Sequence, residues 1–243
     1  MDVKDERAPD AIKHHARIAG ALYVLMCVVG IPGLLYVPGV LYVRLDATAT
    51  ADHIRASEYI LRYGIATELI HQVINVFLCL ALFRLFRAVD EMLSWQLVIM
   101  GALIPVPITC LNVVFEIAAT IVVSGAAYLN AFSKDQLDAL AMLFYRIHGQ
   151  GWNVAQMFWG LWLFPFGLLV IRCEFIPKLL GYLLLIAGAG NLIDSLTTAV
   201  LPRFQEPVGQ VMGILELGEL PIIFWLVIWG ATSRCGKREA AGI

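Results

Sequence analysis

The residues of this chain best suited to chemistry are acids, amides and histidines set inside otherwise apolar stretches. Glu68, His71 and Asn75 lie in one stretch, Asn112 and Glu116 in a second, and His148, Asn153 and Gln156 at the start of a third. Asn191, Asp194 and Ser195 occupy a fourth, and Glu216 and Glu219 a fifth. Steps of three, four or seven residues within these sets put their members on one face of a helix.

Glu68 and His71 make an E-x-x-H pattern, which can present a carboxylate and an imidazole to one metal ion. With His148 they are the metal candidates, and Glu116, Asp194 and Glu219 are possible further ligands. A di-iron centre in a helix bundle needs a second E-x-x-H, and the sequence has none; the H-E-x-x-H of zinc peptidases is also absent. The competing reading makes His71 a packed, hydrogen-bonded histidine and His148 the end of a helix. Nucleophilic hydrolysis finds no G-x-S-x-G, and Ser195 directly follows Asp194, where helical neighbours do not face each other. No lysine lies in the expected spans to form a retinal Schiff base. Carboxylic acids in a dry pocket also suit proton donation to a lipid or isoprenoid, with Trp152, Phe158, Trp159 and Trp162 to steady a cation or a quaternary amine. No catalytic residue is assigned on these grounds, and no cofactor is identified.

The elements that must carry these residues are membrane spans. The chain is 60% hydrophobic and 15% charged, against roughly a quarter charged in soluble domains. Apolar blocks of about twenty residues recur at about 18–40, 59–83, 94–123, 151–171, 179–201 and 208–230. The expectation is an all-α, polytopic helix bundle with six transmembrane helices. Residues 1–17 and 233–243 are its tails and 18–232 its single membrane domain. The apolar run from Ile18 to Val43 is too long for a signal peptide and reads as a retained span. Eleven lysines and arginines flank one side, including Arg84, Arg87, Arg172 and Lys178, against six on the other. The positive-inside rule therefore puts both termini in the cytoplasm. A net charge of −2 offers no basic surface for nucleic acid. Cys27, Cys79, Cys110, Cys173 and Cys235 lack C-x-x-C spacing and imply neither a disulfide framework nor a zinc ribbon.

Two outer segments are expected to be helical. Thr50 or Asp52 can cap a helix that leads into the second span. Ser133 can cap an interfacial helix, Lys134 to His148, before the fourth span, with Leu137, Leu140, Ala141 and Phe144 on one face and a turn at Gly149 and Gly151. Pro32-Gly33 and Pro38-Gly39 suggest a break near the outer end of the first span. Pro105, Pro107, Pro165 and Pro221 supply further breaks of the kind found in transporters, and Pro221 frees the Leu217 carbonyl beside Glu219.

Depth ties the polar sets together. Counted from the outer ends of alternating spans, Glu68, Glu116, Asp194 and Glu216 fall about 10–13 Å deep at 1.5 Å per residue, with His71 and Glu219 a turn deeper. The cytoplasmic halves, such as Phe77 to Phe83 and Leu179 to Ile186, are nearly all apolar. An Asp at mid-span costs about 2.5–3.5 kcal/mol on insertion scales, so such acids need a wet cavity, a cation or basic partners. Arg62 and Arg146 are candidates for that partnership. The pattern implies an outward-facing acidic chamber for a small amphiphilic or cationic ligand, a lipid or a metal. A membrane enzyme, a proton-coupled transporter and a structural subunit are the alternatives, and the same residues serve as proton-binding candidates in the transporter. The lipid bilayer is the expected partner; the oligomeric state stays open.

Several runs carry a resemblance over most of the chain. They are Ala131-Phe132-Ser133, Gln136-Leu137, Ala139-Leu140-Ala141, Leu143-Phe144, His148, Gly151, Phe158, Gly160-Leu161, Pro177, Leu180-Gly181, Ile193-Asp194-Ser195, Gly218-Glu219-Leu220 and Trp225-Leu226. In this order they resemble the bacterial membrane proteins grouped as domain of unknown function 4386. The resemblance implies six helices and a bacterial inner-membrane location, and brings no activity with it.

Overall fold

The computed structural model describes residues 7–231. Cys235 and the basic residues Arg234, Lys237 and Arg238 lie outside the described residues, as do the expected C-terminal tail and the start of the N-terminal one. Among the described residues every regular element is helical. The first span consists of α1 (Arg7–Ile31), a π-helical turn (Pro32–Tyr36) and α2 (Val37–Leu41). A short helix, α3 (Ala47–Ala56), precedes α4 (Glu58–Phe86), which is the second span. The third joins α5 (Glu91–Val98), a second π turn (Ile99–Leu103) and α6 (Pro105–Val123); α7 (Lys134–Arg172) and α8 (Lys178–Val200) are the fourth and fifth. The sixth is α9 (Gln205–Glu216), a 3₁₀ turn (Leu217–Glu219) and α10 (Leu220–Ile228). Among the described residues six stretches are long and apolar enough to cross a bilayer, so the chain is an all-α, multi-pass membrane protein.

The prolines explain the irregular turns. Proline has no N–H to donate, and its ring crowds the preceding turn. At the first doublet the expected break is absorbed by the π turn, in which the Val37 N–H reaches the Pro32 carbonyl. Before Pro105 the Ile104 N–H reaches back five residues to Ile99 at 3.1 Å. The wider turn makes room for the ring without ending the span.

Two helix starts differ in how well they match expectation. Ser133 does cap α7: its hydroxyl accepts from the Gln136 N–H at 3.3 Å, and the Gln136 side chain accepts from the Ser133 N–H at 2.9 Å, a reciprocal capping box. The cap of α3 is Asp46 rather than Thr50 or Asp52; it accepts from the Ala49 N–H at 2.8 Å, so this helix starts earlier. The turn expected at Gly149 and Gly151 is absent, because both residues lie inside the continuous helix α7. Helical glycine costs only about 1 kcal/mol relative to alanine, and at Gly151 a neighbouring side chain uses the space.

The chain divides into two compact units. One comprises Met26–Ile74 and Val106–Ala155. Its packing centres on Val37, Leu41, Ile54 and Leu61, and on Ala51, Val122 and Ala141 with Leu137, Leu140 and Phe144 against them. The apolar face read from α7 thus packs on protein. The other unit comprises Met1–Leu25, Asn75–Pro105 and Gln156–Ile243. Here α7 and α8 approach through glycines seven residues apart: a Cβ at Gly160 would lie 3.0 Å from the Gly188 carbonyl oxygen, and one at Gly167 only 2.7 Å from that of Gly181. Small residues let backbones meet closely where lipid gives no hydrophobic drive for association. Gly181→Val is accordingly expected to destabilise the detergent-solubilised protein by about 1–3 kcal/mol through overpacking; an unchanged thermal melt would show that this contact does not set the helix spacing.

Candidate functional site

In the first of these units three helices bring Glu68 (α4), Glu116 (α6) and His148 (α7) together. One ligand-type atom from each lies within 4.8 Å of the others. All are buried: Glu68 is 2%, Glu116 1% and His148 5% exposed. Glu68 Oε2 stands 3.3 Å from His148 Nε2, and Glu116 Oε1 stands 3.4 Å from Nδ1, so a carboxylate flanks each ring nitrogen. The Trp152 indole, which can only donate, gives its N–H to Nε2 at 3.0 Å. That bond assigns the lone pair to Nε2 and the ring proton to Nδ1, facing Glu116. Glu68 Oε1 and Glu116 Oε2 have no hydrogen-bond partner among the described residues.

Local structure explains the placement. The π turn carries Gly33 against Glu68: a Cβ there would sit 2.7 Å from Glu68 Cγ and 3.3 Å from Oε1. Gly30 likewise accommodates the His71 ring, which its Cβ would meet at 2.9 Å. On the other side of the cluster, the Asn112 side chain donates to the His148 carbonyl at 2.8 Å and occupies the space a side chain at Gly151 would need. The histidine is therefore held through its backbone, leaving the ring to the acids.

His71 takes no part in this cluster, which corrects the E-x-x-H pairing; its Nδ1 lies 3.1 Å from the Gln72 amide nitrogen, and Glu116 is the third ligand-type residue instead. One-face spacing does put both Glu68 and His71 in the interior, but a three-residue step turns them toward different neighbours. Asn153 is half-buried, with its amide 3.4 Å from the Gln150 side chain. Arg62 pairs with Glu58 one turn away at 2.7 Å on the surface, and Arg146 is exposed. Among the described residues neither forms an ion pair with Glu68 or Glu116. The buried carboxylate that does have arginine and lysine is Asp138, unnoticed in the sequence, which Arg55 binds and Lys134 meets at 2.7 Å. Desolvation weakens the charge of Arg55, yet its bonds to Asp138 and Asp52 outweigh this and raise its pKa.

The remaining candidates belong to the second unit. Gln156 donates to Asp194 and to Glu216, at 3.2 Å each, and both acids are half-buried. Glu219, at the end of the 3₁₀ turn in the sixth span, accepts from the hydroxyl of Tyr23, a buried residue of α1 that also packs near Trp162. Asn75 donates to the Gly101 carbonyl at 2.9 Å. The acids thus form a Glu68–Glu116 group in one unit and an Asp194–Glu216 group in the other. Tyr23 escaped notice because a lone tyrosine in an apolar run reads as packing.

These features define a multi-pass membrane protein with a buried carboxylate–imidazole–carboxylate cluster. The chain belongs to the family described as Domain of unknown function (DUF4386), which matches residues 18–230. It is also similar to a protein of Archaeoglobus fulgidus described as "Uncharacterized protein", 36% identical over 78 residues, 32% of this chain. The match spans 45% of that relative's length. No solved structure matches.

The Asn112–Gly151 contact makes a coupled prediction. Gly151→Ala should destabilise the protein because its methyl group collides with the carboxamide, whereas the same change in an Asn112→Ala background should cost at least about 1 kcal/mol less. Additive melts across the double-mutant cycle would mean that the contact does not hold His148.

Proposed function

We propose that this protein is a membrane-embedded binding protein whose centre, Glu68, Glu116 and His148, holds a positively charged ligand in the outer half of the bilayer, with both termini in the cytoplasm. The observation that carries the reading is the excess of buried acceptors: two glutamates converge on one imidazole, and two of their carboxylate oxygens have no donor among the described residues. Unpaired buried charge costs several kcal/mol, and a bound cation removes that cost. Asp138, in the same unit, shows the alternative solution, since it is neutralised by Arg55 and Lys134. Native mass spectrometry of the detergent-purified chain is expected to show a bound cationic species, metal or organic, that is lost in the double variant Glu68→Gln/Glu116→Gln. Equal stability of wild type and variant, with nothing bound to either, would defeat the reading.

A second reading, proton-coupled transport, is favoured by one feature: the sixth span is interrupted at Glu219, with Pro221 just beyond and Tyr23 on the carboxylate. Interrupted spans with an acid at the break suit alternating access. It expects proton-driven uptake of a small cation into liposomes that is abolished by Glu219→Gln; uptake unaffected by that change rejects it.

A further inference from the structure

The geometry points to a divalent first-row transition metal as the occupant, held by Glu68, Glu116 and His148. This rests on the cation-binding reading above and specifies its ligand. Four features of the cluster support a metal over an organic cation.

The donor set is the first. Two carboxylates and one imidazole suit borderline divalent ions such as Zn²⁺, Mn²⁺ or Fe²⁺, and they come from three different helices, so they converge without a sequence motif. The second is spacing. Metal bonds of about 2.0–2.1 Å set neighbouring tetrahedral ligand atoms about 3.3–3.4 Å apart, and Glu68 Oε2 stands 3.3 Å from His148 Nε2. Charge-assisted hydrogen bonds are shorter, at about 2.7–2.9 Å. The two separations that involve Glu116, within 4.8 Å, close by adjustment of glutamate side chains.

Protonation is the third feature. The Trp152 indole N–H selects the imidazole form with its lone pair on Nε2, and a metal ion would take that lone pair over from the indole. Glu68 Oε1 and Glu116 Oε2, buried and without a donor among the described residues, supply further ligand atoms. The fourth is room. Gly33 backs Glu68 closely, an added carbon there standing 2.7 Å from Cγ and 3.3 Å from Oε1, so the substituents of an organic amine have no place on that side of the carboxylate. A bare ion needs none.

Three protein ligands leave a coordination position for water or another small oxygen ligand, as in catalytic rather than structural sites. The test uses the full chain in mild detergent. Elemental analysis is expected to find about one first-row metal per chain. After chelation, Co²⁺ alone should restore binding with visible absorption bands of a low-coordinate site. Glu116→Gln and His148→Gln should each lower metal content about tenfold or more, while Glu91→Gln, at the start of α5, keeps it; size-exclusion profiles confirm that the variants remain folded. If wild type carries no metal and takes up no Co²⁺, yet native mass spectra still show an organic cation lost in the glutamine variants, the metal assignment falls and the binding reading stands. If no cation of either kind is bound, both fall. Metal content insensitive to Glu116→Gln and His148→Gln overturns the assignment to these residues.

Discussion

A carboxylate kept ionised inside a membrane protein must find a positive partner, and the unit containing Met26–Ile74 and Val106–Ala155 treats its buried acids in two ways. Asp138 finds its partners in the protein. It is 1% exposed, and α3 contributes Arg55 while the capped start of α7 contributes Lys134. Each cation keeps some contact with solvent and so retains part of its hydration, which makes the arrangement cheaper than a fully buried pair. Glu68 and Glu116 are as deeply buried, but a histidine is the group between them. A single imidazole cannot balance two carboxylates. The same unit pairs one buried acid with cations of its own and leaves a deficit at Glu68 and Glu116.

The surrounding backbone is fitted to that cluster by small residues. Gly30 and Gly33 let the first span lie on the Glu68 and His71 side chains, and Gly151 lets Asn112 reach the His148 carbonyl. Each substitution of a side chain by hydrogen lowers local helix propensity. The helices persist because the surrounding contacts, not propensity, hold them in place. In the other unit glycine has a different use, spacing α7 from α8 with backbone against backbone. Polar grip and close helix packing therefore draw on the same residue type for separate reasons.

Much of the architecture was legible in the sequence because length and apolarity suffice to mark a span. All six spans, the Ser133 cap and the apolar face of α7 follow from local pattern. Glu68 and Glu116, two of the acids that depth counting sets at one level, are buried, and so is His148, which that count did not include. What pattern could not supply was azimuth between helices. His71 shares the Glu68 face but turns to Gln72 and Gly30, and Arg62 finds a local partner in Glu58 before any distant acid. Gly149 and Gly151 read as a turn because glycine usually punctuates a helix; that one of them clears a path for Asn112 depends on a residue nearly forty positions away. Tyr23 and Asp138 were invisible for the same reason, since their partners come from other helices.

The π turn at Pro32–Tyr36 bears on how the first span can vary. Such a turn holds one more residue than an α-helical path of the same length, which rotates everything beyond it by about 100° relative to a regular helix. Gly30 and Gly33 lie before or within the turn, while Val37 and Leu41 lie past it in the apolar core. Removing one residue between them would straighten the span yet leave either the glycine contacts or the core contacts out of phase. Insertions and deletions are therefore least tolerable here, in a stretch whose composition alone looks like ordinary lipid-facing helix.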